Sequence, residues 1–309
     1  MKKILKYPKR LLSPYIITLA EKIGFEYSAR STPVNFINLT DDAEDALKRS
    51  VNRPVIINCP IELLRGHPPI GFKMSAEAGH PHILEALAYI NSWSKTPLKD
   101  YYRNVQPLRA SDLMGINSVN NNSKILQYSV QEAVRPWRSV PGIQTSKNRK
   151  KWLKDDIIER DGSNHQLAKE AQGYWFMSGP VPQDWIEFER KRIEDIVDSI
   201  QKHGYQWNHS WDSLIQTELL VGDVESCLLI LKGQHRAVAM AALDFNKIPI
   251  LVKPKIVRRN EVGDWPAVVA KSMTKHEALQ VFDRIISGNV PEKINSEWIQ
   301  KVVRQSYVN

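Results

Sequence analysis

The clearest alternation of apolar and polar positions lies in the last third of the chain. Between residues 193 and 200, apolar side chains recur at the spacing of one helical face, and Gly204 follows where such a helix would end. The same spacing returns between residues 278 and 286, before Gly288. Two amphipathic helices are therefore predicted. The positions that define them are Ile193, Ile196, Val197, Ile200, Ala278, Leu279, Phe282, Ile285 and Ile286.

A strand, a turn, a helix and a second strand are predicted between these two helices. Cys227–Leu231 is a continuous apolar run of strand length, and the alanine-rich stretch Ala237–Leu243 follows after Gly233. Ile248–Val252 predicts the second strand. Pro249 fits best at the beginning of that strand or on a sheet edge, because proline cannot donate a backbone hydrogen bond.

The first part of the chain, to about Gly142, has shorter helical patterns separated by proline-rich connections and shows no internal repeat. The stretch Asn117–Ser123 indicates a polar loop. Helices are predicted over Ile16–Ile23, Asp41–Arg49, His82–Trp93 and Ala110–Met114.

The pattern of apolar and polar positions changes between Gly142 and Gly173, which predicts a domain boundary in that interval. Residues 1–150 are expected to form a mainly helical N-terminal region, and residues 174–290 an α+β domain. A C-terminal helix is expected over 291–309.

Composition narrows the class of protein. With 42% hydrophobic and 25% charged residues among 309, the chain has the composition of a globular protein, which excludes a disordered or fibrous one. Cys59 and Cys227 are the two cysteines, and their separation indicates neither a disulfide framework nor a thiolate metal site. A reducing, cytoplasmic setting is expected.

Neither export nor a membrane span is expected. Leu11–Ala20 is apolar after a basic start, as in a signal peptide, but Pro14 interrupts it. Charged residues, rather than a small-residue cleavage site, follow it. No apolar run approaches the roughly 20 residues that span a bilayer.

The formal net charge of +9 would suit nucleic acid, phosphate ligands or an anionic membrane surface. Much of the excess is local, in the segments 2–10 and 147–154. We expect both segments to be solvated basic stretches, the second a linker, with nucleic-acid binding weak at most.

The tetrapeptide Gly233-Gln234-His235-Arg236 is a candidate anion site. Glycine lets the backbone turn and approach a ligand closely, and the free amides at a helix start attract phosphate. Arginine binds phosphate oxygens in a bidentate way. On spacing alone, an alternative is equally open: Gly233 is then only a turn, His235 a satisfied polar residue and Arg236 a surface cap.

The order of these elements resembles the ParB/sulfiredoxin superfamily, in which a glycine, a polar pair and an arginine stand between an apolar strand and a helix. The resemblance covers Tyr174–Gly288 well. The segments also resemble uncharacterised ParB-like proteins associated with surface-polysaccharide gene clusters, and the resemblance implies an α+β domain with a small mixed sheet and flanking helices. Further matching segments are Gly179-Pro180-Val181, His203-Gly204-Tyr205, Val257-Arg258-Arg259 and Asp264-Trp265-Pro266, with His80-Pro81-His82 and Leu98–Tyr102 as extensions into the first part.

The resemblance implies a nucleotide phosphate at the turn, although activities in the superfamily vary. ParB binds and hydrolyses CTP on DNA, sulfiredoxin uses ATP to repair peroxiredoxin, and ParB-like kinases phosphorylate free serine. Sulfiredoxin chemistry needs a cysteine in the turn, where this chain has Gln234 and His235. A partition role would need a helix-turn-helix module, for which the stretch after Gly288 is too short.

The kinase-like branch therefore gives the leading expectation. It is a phosphotransferase that uses ATP or another nucleotide with Mg²⁺ and acts on a small hydroxyl compound, with a link to surface-polysaccharide synthesis. The resemblance implies that Glu187 or Glu189 is the general base, with His235 as a further catalytic residue. Both glutamates also fit as plain acids at a helix start. Asp223 is the candidate magnesium ligand, although turn chemistry explains it equally well.

Two alternative functions are a non-catalytic nucleotide-binding regulator and a basic nucleic-acid-binding protein. His80 and His82 would share one face of a strand, which suits a metal pair, but Pro81 between them favours packing at a helix start. Trp207 and Trp211 are expected to be packing residues rather than platforms for stacked bases.

Overall fold

The computed structural model of the chain describes residues 32–51, 53–117, 123–161, 177–207 and 213–294. In these parts of the chain, helices flank a mixed seven-stranded sheet, so the fold class is α+β. The strands are β1 (Val34–Asn35), β2 (Val55–Pro60), β3 (Leu64–Gly66), β4 (Phe72–Lys73), β5 (Ile215–Val221), β6 (Ser226–Lys232) and β7 (Lys247–Arg258).

Helices account for most of the remaining described chain, together with short 3₁₀ turns. The helices are α1 (Ala43–Arg49), α2 (Pro81–Ile90), α3 (Pro97–Asn104), α4 (Ala110–Met114), α5 (Ile143–Asp161), α6 (Gln183–His203), α7 (Gln234–Ala242), α8 (Pro266–Val269) and α9 (Lys275–Ser287). The 3₁₀ turns are Ile61–Leu63, Lys124–Gln127, Val130–Glu132 and Arg259–Asp264.

The sheet has the strand order β1-β2-β7-β5-β6-β3-β4. Strand β2 runs antiparallel to β7, and β3 runs parallel to β6. Strands from the first part of the chain therefore flank both sides of the β7-β5-β6 group. The predicted division into residues 1–150 and 174–290 does not divide this sheet, which takes strands from both.

The first part of the chain contributes strands β1 to β4 to the sheet as well as helices, and these four strands were not predicted. Val55, Ile56, Ile57 and Cys59 are all fully buried in β2, so this strand carries no alternation of apolar and polar positions. The other three strands are two or three residues long. The spacing of apolar residues therefore does not reveal any of these four strands.

The elements predicted from residue 174 onward are confirmed where they are described. Helix α6 ends before Gly204 and α9 before Gly288. Strand β6, helix α7 and strand β7 follow in the predicted order. Pro249 lies near the beginning of β7, before its pairing with β5 starts at Ile250.

Three of the four short helices predicted in the first part are present, as α1, α2 and α4. The fourth, Ile16–Ile23, lies outside the described residues, as does most of the C-terminal segment 291–309. Within that segment, 291–294 forms a turn.

The basic segment 147–154, predicted to be a linker, lies within helix α5. Leu153 and Ile157 are buried from this helix at a spacing of four residues, whereas Lys147, Lys151 and Lys154 are exposed. The helix therefore packs through a narrow apolar stripe and keeps these three lysines in solvent. In the described parts of the chain, no helix combines the length and the apolarity of a membrane span.

Candidate functional site

Helices α2, α6 and α7 pack against one another and bring the turn after β6 into contact with residues from both parts of the chain. Gly233 caps α7 with φ +90°, a conformation that side chains other than glycine rarely adopt. A Cβ there would lie 3.0 Å from Nη2 of Arg236 and 3.2 Å from Cα of Ile215. The predicted strand, turn and helix are therefore confirmed, with glycine required at the turn.

Two side chains of the turn bind neighbouring elements. Nε2 of His235 lies 2.6 Å from Oε2 of Glu189 on α6. Gln234 donates through Nε2 to the carbonyl oxygen of Ile230 at 2.9 Å and accepts from the backbone N–H of His67 at 3.2 Å. The turn is thus fixed to α6 on one side and to the loop between β3 and β4 on the other.

Glu189 is a buried carboxylate with basic neighbours. It is 3% exposed, and its Oε1 accepts from Nη1 of Arg192 at 3.3 Å. Burial acts to raise the pKa of Glu189, but His235 and Arg192 outweigh it and hold that pKa well below the usual value. Burial lowers the pKa of His235 to about 4. At neutral pH a neutral imidazole therefore donates its Nε2–H to an ionised carboxylate.

Glu187 has a different environment. Its side chain is 53% exposed, accepts from Nε2 of Gln183 at 2.7 Å and pairs with Arg190 at 2.9 Å. Residues two apart on a helix point to different faces, so only one of the two can meet the turn. Of the two glutamates predicted as the base, the structure brings Glu189 to His235 and leaves Glu187 at the surface.

Asp223, the predicted magnesium ligand, is not brought to the turn. It lies in the hairpin between β5 and β6, at the opposite end of β6 from Gly233. Seven strand residues separate these two ends by about 20 Å. The Asp223 carboxylate is 69% exposed and pairs with Nη1 of Arg259 at 3.0 Å. An ion at Asp223 would therefore be too distant to contact a phosphate at Gly233.

Three buried histidines, His67, His80 and His82, lie beside the turn and form what we term the histidine cluster. Their exposed fractions are 3%, 0% and 2%. His80 is the N-cap of α2 and His82 lies in its first turn, so the predicted helix start is confirmed. Burial lowers the pKa of His67 and of His80 well below the usual value, so both imidazoles are neutral at neutral pH.

His67 was not identified from the sequence. It stands in the loop between β3 and β4, where no local pattern marks it, and it reaches the cluster through the fold of the sheet. A Cβ at the neighbouring Gly66 would lie 3.0 Å from Nε2 of His80 and 3.1 Å from Oε1 of Gln234. The glycine therefore lets the end of β3 approach both the cluster and the turn.

The predicted packing role of Trp207 agrees with its position, because it packs partly buried against Ile56, Leu214 and Leu251. Trp211 lies outside the described residues. The arginine of the turn, Arg236, is half-buried, and its Nη2 lies 3.5 Å from the carbonyl oxygen of Leu214.

Comparisons of the chain with protein-family models, with curated proteins and with solved structures find no match. Function is therefore inferred from the residues of the site. Two sets of them are candidates: the turn Gly233–Arg236 with Glu189, and the histidine cluster.

Proposed function

We propose that the chain is a ParB/sulfiredoxin-like phosphotransferase that uses a nucleotide with Mg²⁺ and phosphorylates a hydroxyl group of a small compound. In this proposal the turn Gly233–Arg236 holds the nucleotide phosphate and Glu189 is the general base. The observation that carries it is the 2.6 Å contact between Glu189 and His235, which joins a buried carboxylate to the turn.

Phosphate binding is supported by the local structure of the turn. An α-helix leaves its first amides without intrahelical acceptors, and these amides attract anions. Gly233 allows the left-handed turn into α7 and leaves room for Nη2 of Arg236, which a Cβ at this position would approach to 3.0 Å. Arg236 adds a guanidinium within the first turn of α7, which strengthens phosphate binding through charge-assisted hydrogen bonds.

The base assignment is supported by the protonation states of Glu189 and His235. An ionised Glu189 can take the proton of an acceptor hydroxyl held within about 3 Å. The acceptor oxygen then forms a bond to the terminal phosphorus while the bond from phosphorus to the nucleoside diphosphate breaks. The neutral His235 fixes the carboxylate in place by donating Nε2–H. Mg²⁺ bound with the nucleotide would neutralise charge on the phosphate oxygens.

One observation favours a second candidate, a non-catalytic nucleotide-binding regulator. Glu189 is 3% exposed, and both of its oxygens have partners, namely His235 and Arg192. A carboxylate satisfied in this way also suits a purely structural role. The regulator would bind nucleotide at the same turn without turning it over.

Glu189→Gln and Glu187→Gln form a matched pair that tests catalysis. With Mg²⁺ and [γ-³²P]ATP, phosphate transfer would be measured to a panel of small hydroxyl compounds and to water. Glu189→Gln should keep nucleotide binding and lose turnover by about 100-fold or more, because a general base contributes that much. Glu187→Gln should keep both, since Glu187 faces solvent. Equal turnover in the two variants would overturn Glu189 as the general base, and no turnover in the wild type with nucleotide bound would favour the regulator.

A further inference from the structure

The histidine cluster combines residues that are distant in sequence into one buried group. His67 follows β3, whereas His80 and His82 begin α2. The ring centroid of His67 lies 4.8 Å from that of His80 and 4.4 Å from that of His82. The centroids of His80 and His82 are 6.0 Å apart. Three imidazoles thus surround a common point in the interior.

The spacing of the nitrogens matches the requirement of a single metal ion. One nitrogen from each of the three histidines lies within 4.8 Å of the other two. Three such atoms all lie within about 2.8 Å of a common point, and zinc–imidazole bonds are about 2.0–2.1 Å long. Small side-chain rotations would therefore bring all three nitrogens into bonding distance.

Unsatisfied nitrogens give a second, independent indication of a ligand. Nδ1 and Nε2 of His80 and Nδ1 of His82 are buried without a hydrogen-bond partner. Burying a polar atom without a partner costs roughly 1–3 kcal/mol, so native proteins seldom leave several together. A bound cation would satisfy one nitrogen on each ring.

The backbone around His67 is also held in a fixed conformation, as expected for a residue that binds a ligand. His67 has φ +49°, in the left-handed region that is uncommon for residues other than glycine. Gln234 accepts from its N–H, and Arg284 donates through Nη2 to the carbonyl oxygen of Pro69 at 2.8 Å. Contacts from α7 and α9 therefore hold this loop and present His67 to the other two histidines.

We propose that His67, His80 and His82 bind a divalent transition-metal ion of the zinc class. Imidazole ligands favour zinc, copper, nickel or cobalt, whereas Mg²⁺ prefers oxygen ligands. Three histidines leave the fourth position of a tetrahedral ion to a small ligand such as water. The bound ion would fix the loop after β3 to the start of α2 beside the turn, and this site is independent of nucleotide binding.

Glu189 is placed to orient His82 from outside the metal's ligand set. Nε2 of His82 faces Oε2 of Glu189 at 3.7 Å, which leaves Nδ1 for the ion. A carboxylate behind a metal-binding histidine is a common arrangement. His82, Glu189 and His235 form a second group with metal-ligand spacing, but Glu189 and His235 already bind each other at 2.6 Å. The cluster with the unsatisfied nitrogens is therefore the assigned site.

The test is the metal content and metal affinity of the full chain, purified without a polyhistidine tag or chelator. Inductively coupled plasma mass spectrometry should find about one transition-metal ion per wild-type chain. Cobalt(II) added to the stripped protein should give the intense visible absorption of a tetrahedral site, and zinc should displace it. This spectrum requires no substitution, so misfolding of a variant cannot produce or mask it.

Variants then locate the ion. His80→Ala and His67→Asn should each lower zinc affinity by more than the about 10- to 100-fold expected for a partner outside the ligand set. His276→Ala and His203→Ala are the matched controls, because both histidines are exposed, and they should bind zinc as the wild type does. Wild-type protein that binds neither zinc nor cobalt, or equal loss in the control variants, would overturn the proposal.

The outcome for the metal is separable from the outcome for the phosphotransferase. Arg236→Ala should keep full metal content, and Glu189→Gln should keep the ion with at most about 100-fold lower affinity. If the wild type and Arg236→Ala both bind metal but neither binds nucleotide, the metal site stands and the proposed phosphotransferase function is wrong. Loss of the ion from Glu189→Gln as complete as from His80→Ala would overturn the ligand set.

Discussion

Glu218 lies fully buried in β5, where three side chains donate to its carboxylate. Oε1 accepts from Nη1 of Arg135 at 2.8 Å and from Nε1 of Trp137 at 3.1 Å, and Oε2 accepts from Nε of Arg138 at 2.8 Å. A buried charge is tolerated when its hydrogen-bonding capacity is filled in this way. The network joins the segment 135–138 to the sheet.

Glu218→Ala should therefore lower the free energy of unfolding by about 3–5 kcal/mol, because two partly buried guanidinium groups lose their counter-charge. Urea denaturation would measure the change. Glu225→Ala is the control, since Glu225 is exposed near the end of the same hairpin, and its effect should stay within about 0.5 kcal/mol. A loss at Glu218 that also stayed within about 0.5 kcal/mol would contradict a stabilising role for the network.

At the residue scale, the turn Gly233–Arg236 could be predicted from the sequence and the partners of the turn could not. Gly233 to Arg236 are consecutive, so their spacing and flanking apolar run are visible without a structure. The contacts of His235 with Glu189 and of Gln234 with the backbone of His67 join residues far apart in the chain. Such contacts depend on how helices and sheet pack, and local patterns do not encode them.

At the scale of helices and strands, the amphipathic elements were the ones that could be predicted from the sequence. Helices α6 and α9 each bury one stripe of side chains and expose the opposite face, so their spacing reveals them. Strand β2 is buried on both faces, and β1, β3 and β4 are too short to show a period. Helix α5 has a narrow apolar stripe among many charges, which explains why its basic segment resembled a linker.

The start of α9 offers a quantitative test at this scale. Thr274 accepts from the N–H of Glu277 at 3.2 Å, and the Glu277 carboxylate accepts in return from the N–H of Thr274, forming a capping box. Thr274→Ala should lower the free energy of unfolding by about 1 kcal/mol, the usual contribution of such a cap.

Thr96 provides the matched control for this cap. It also stands at an N-cap position, before α3, but its side chain makes no capping hydrogen bond. Thr96→Ala should therefore lower the free energy of unfolding by less than Thr274→Ala does when both are measured by urea denaturation. Equal losses, or a larger loss at Thr96, would contradict a stabilising role for the capping box.

At the scale of the whole molecule, one sheet unites strands from both parts of the chain, and the candidate site lies where those parts meet. The histidine cluster comes from the first part, and the turn and Glu189 come from the second. A division of the chain by pattern alone would have separated these groups. The net charge of +9 is likewise a property of the whole chain, so attraction of anions by net charge alone would not be confined to one site.

The most direct test of the central claim is isothermal titration calorimetry of ATP, ADP and CTP with Mg²⁺ at about 150 mM salt, where weak surface attraction is screened. We expect one binding site on the wild type and at least about tenfold lower affinity for Arg236→Ala, since a charge-assisted hydrogen bond contributes about 1.5–3 kcal/mol. A variant with Lys147, Lys151 and Lys154 changed to alanine should bind as the wild type does, because these lysines are exposed on α5. Equal affinity of wild type and Arg236→Ala, or binding lost only in the lysine variant, would contradict a phosphate site at Gly233–Arg236.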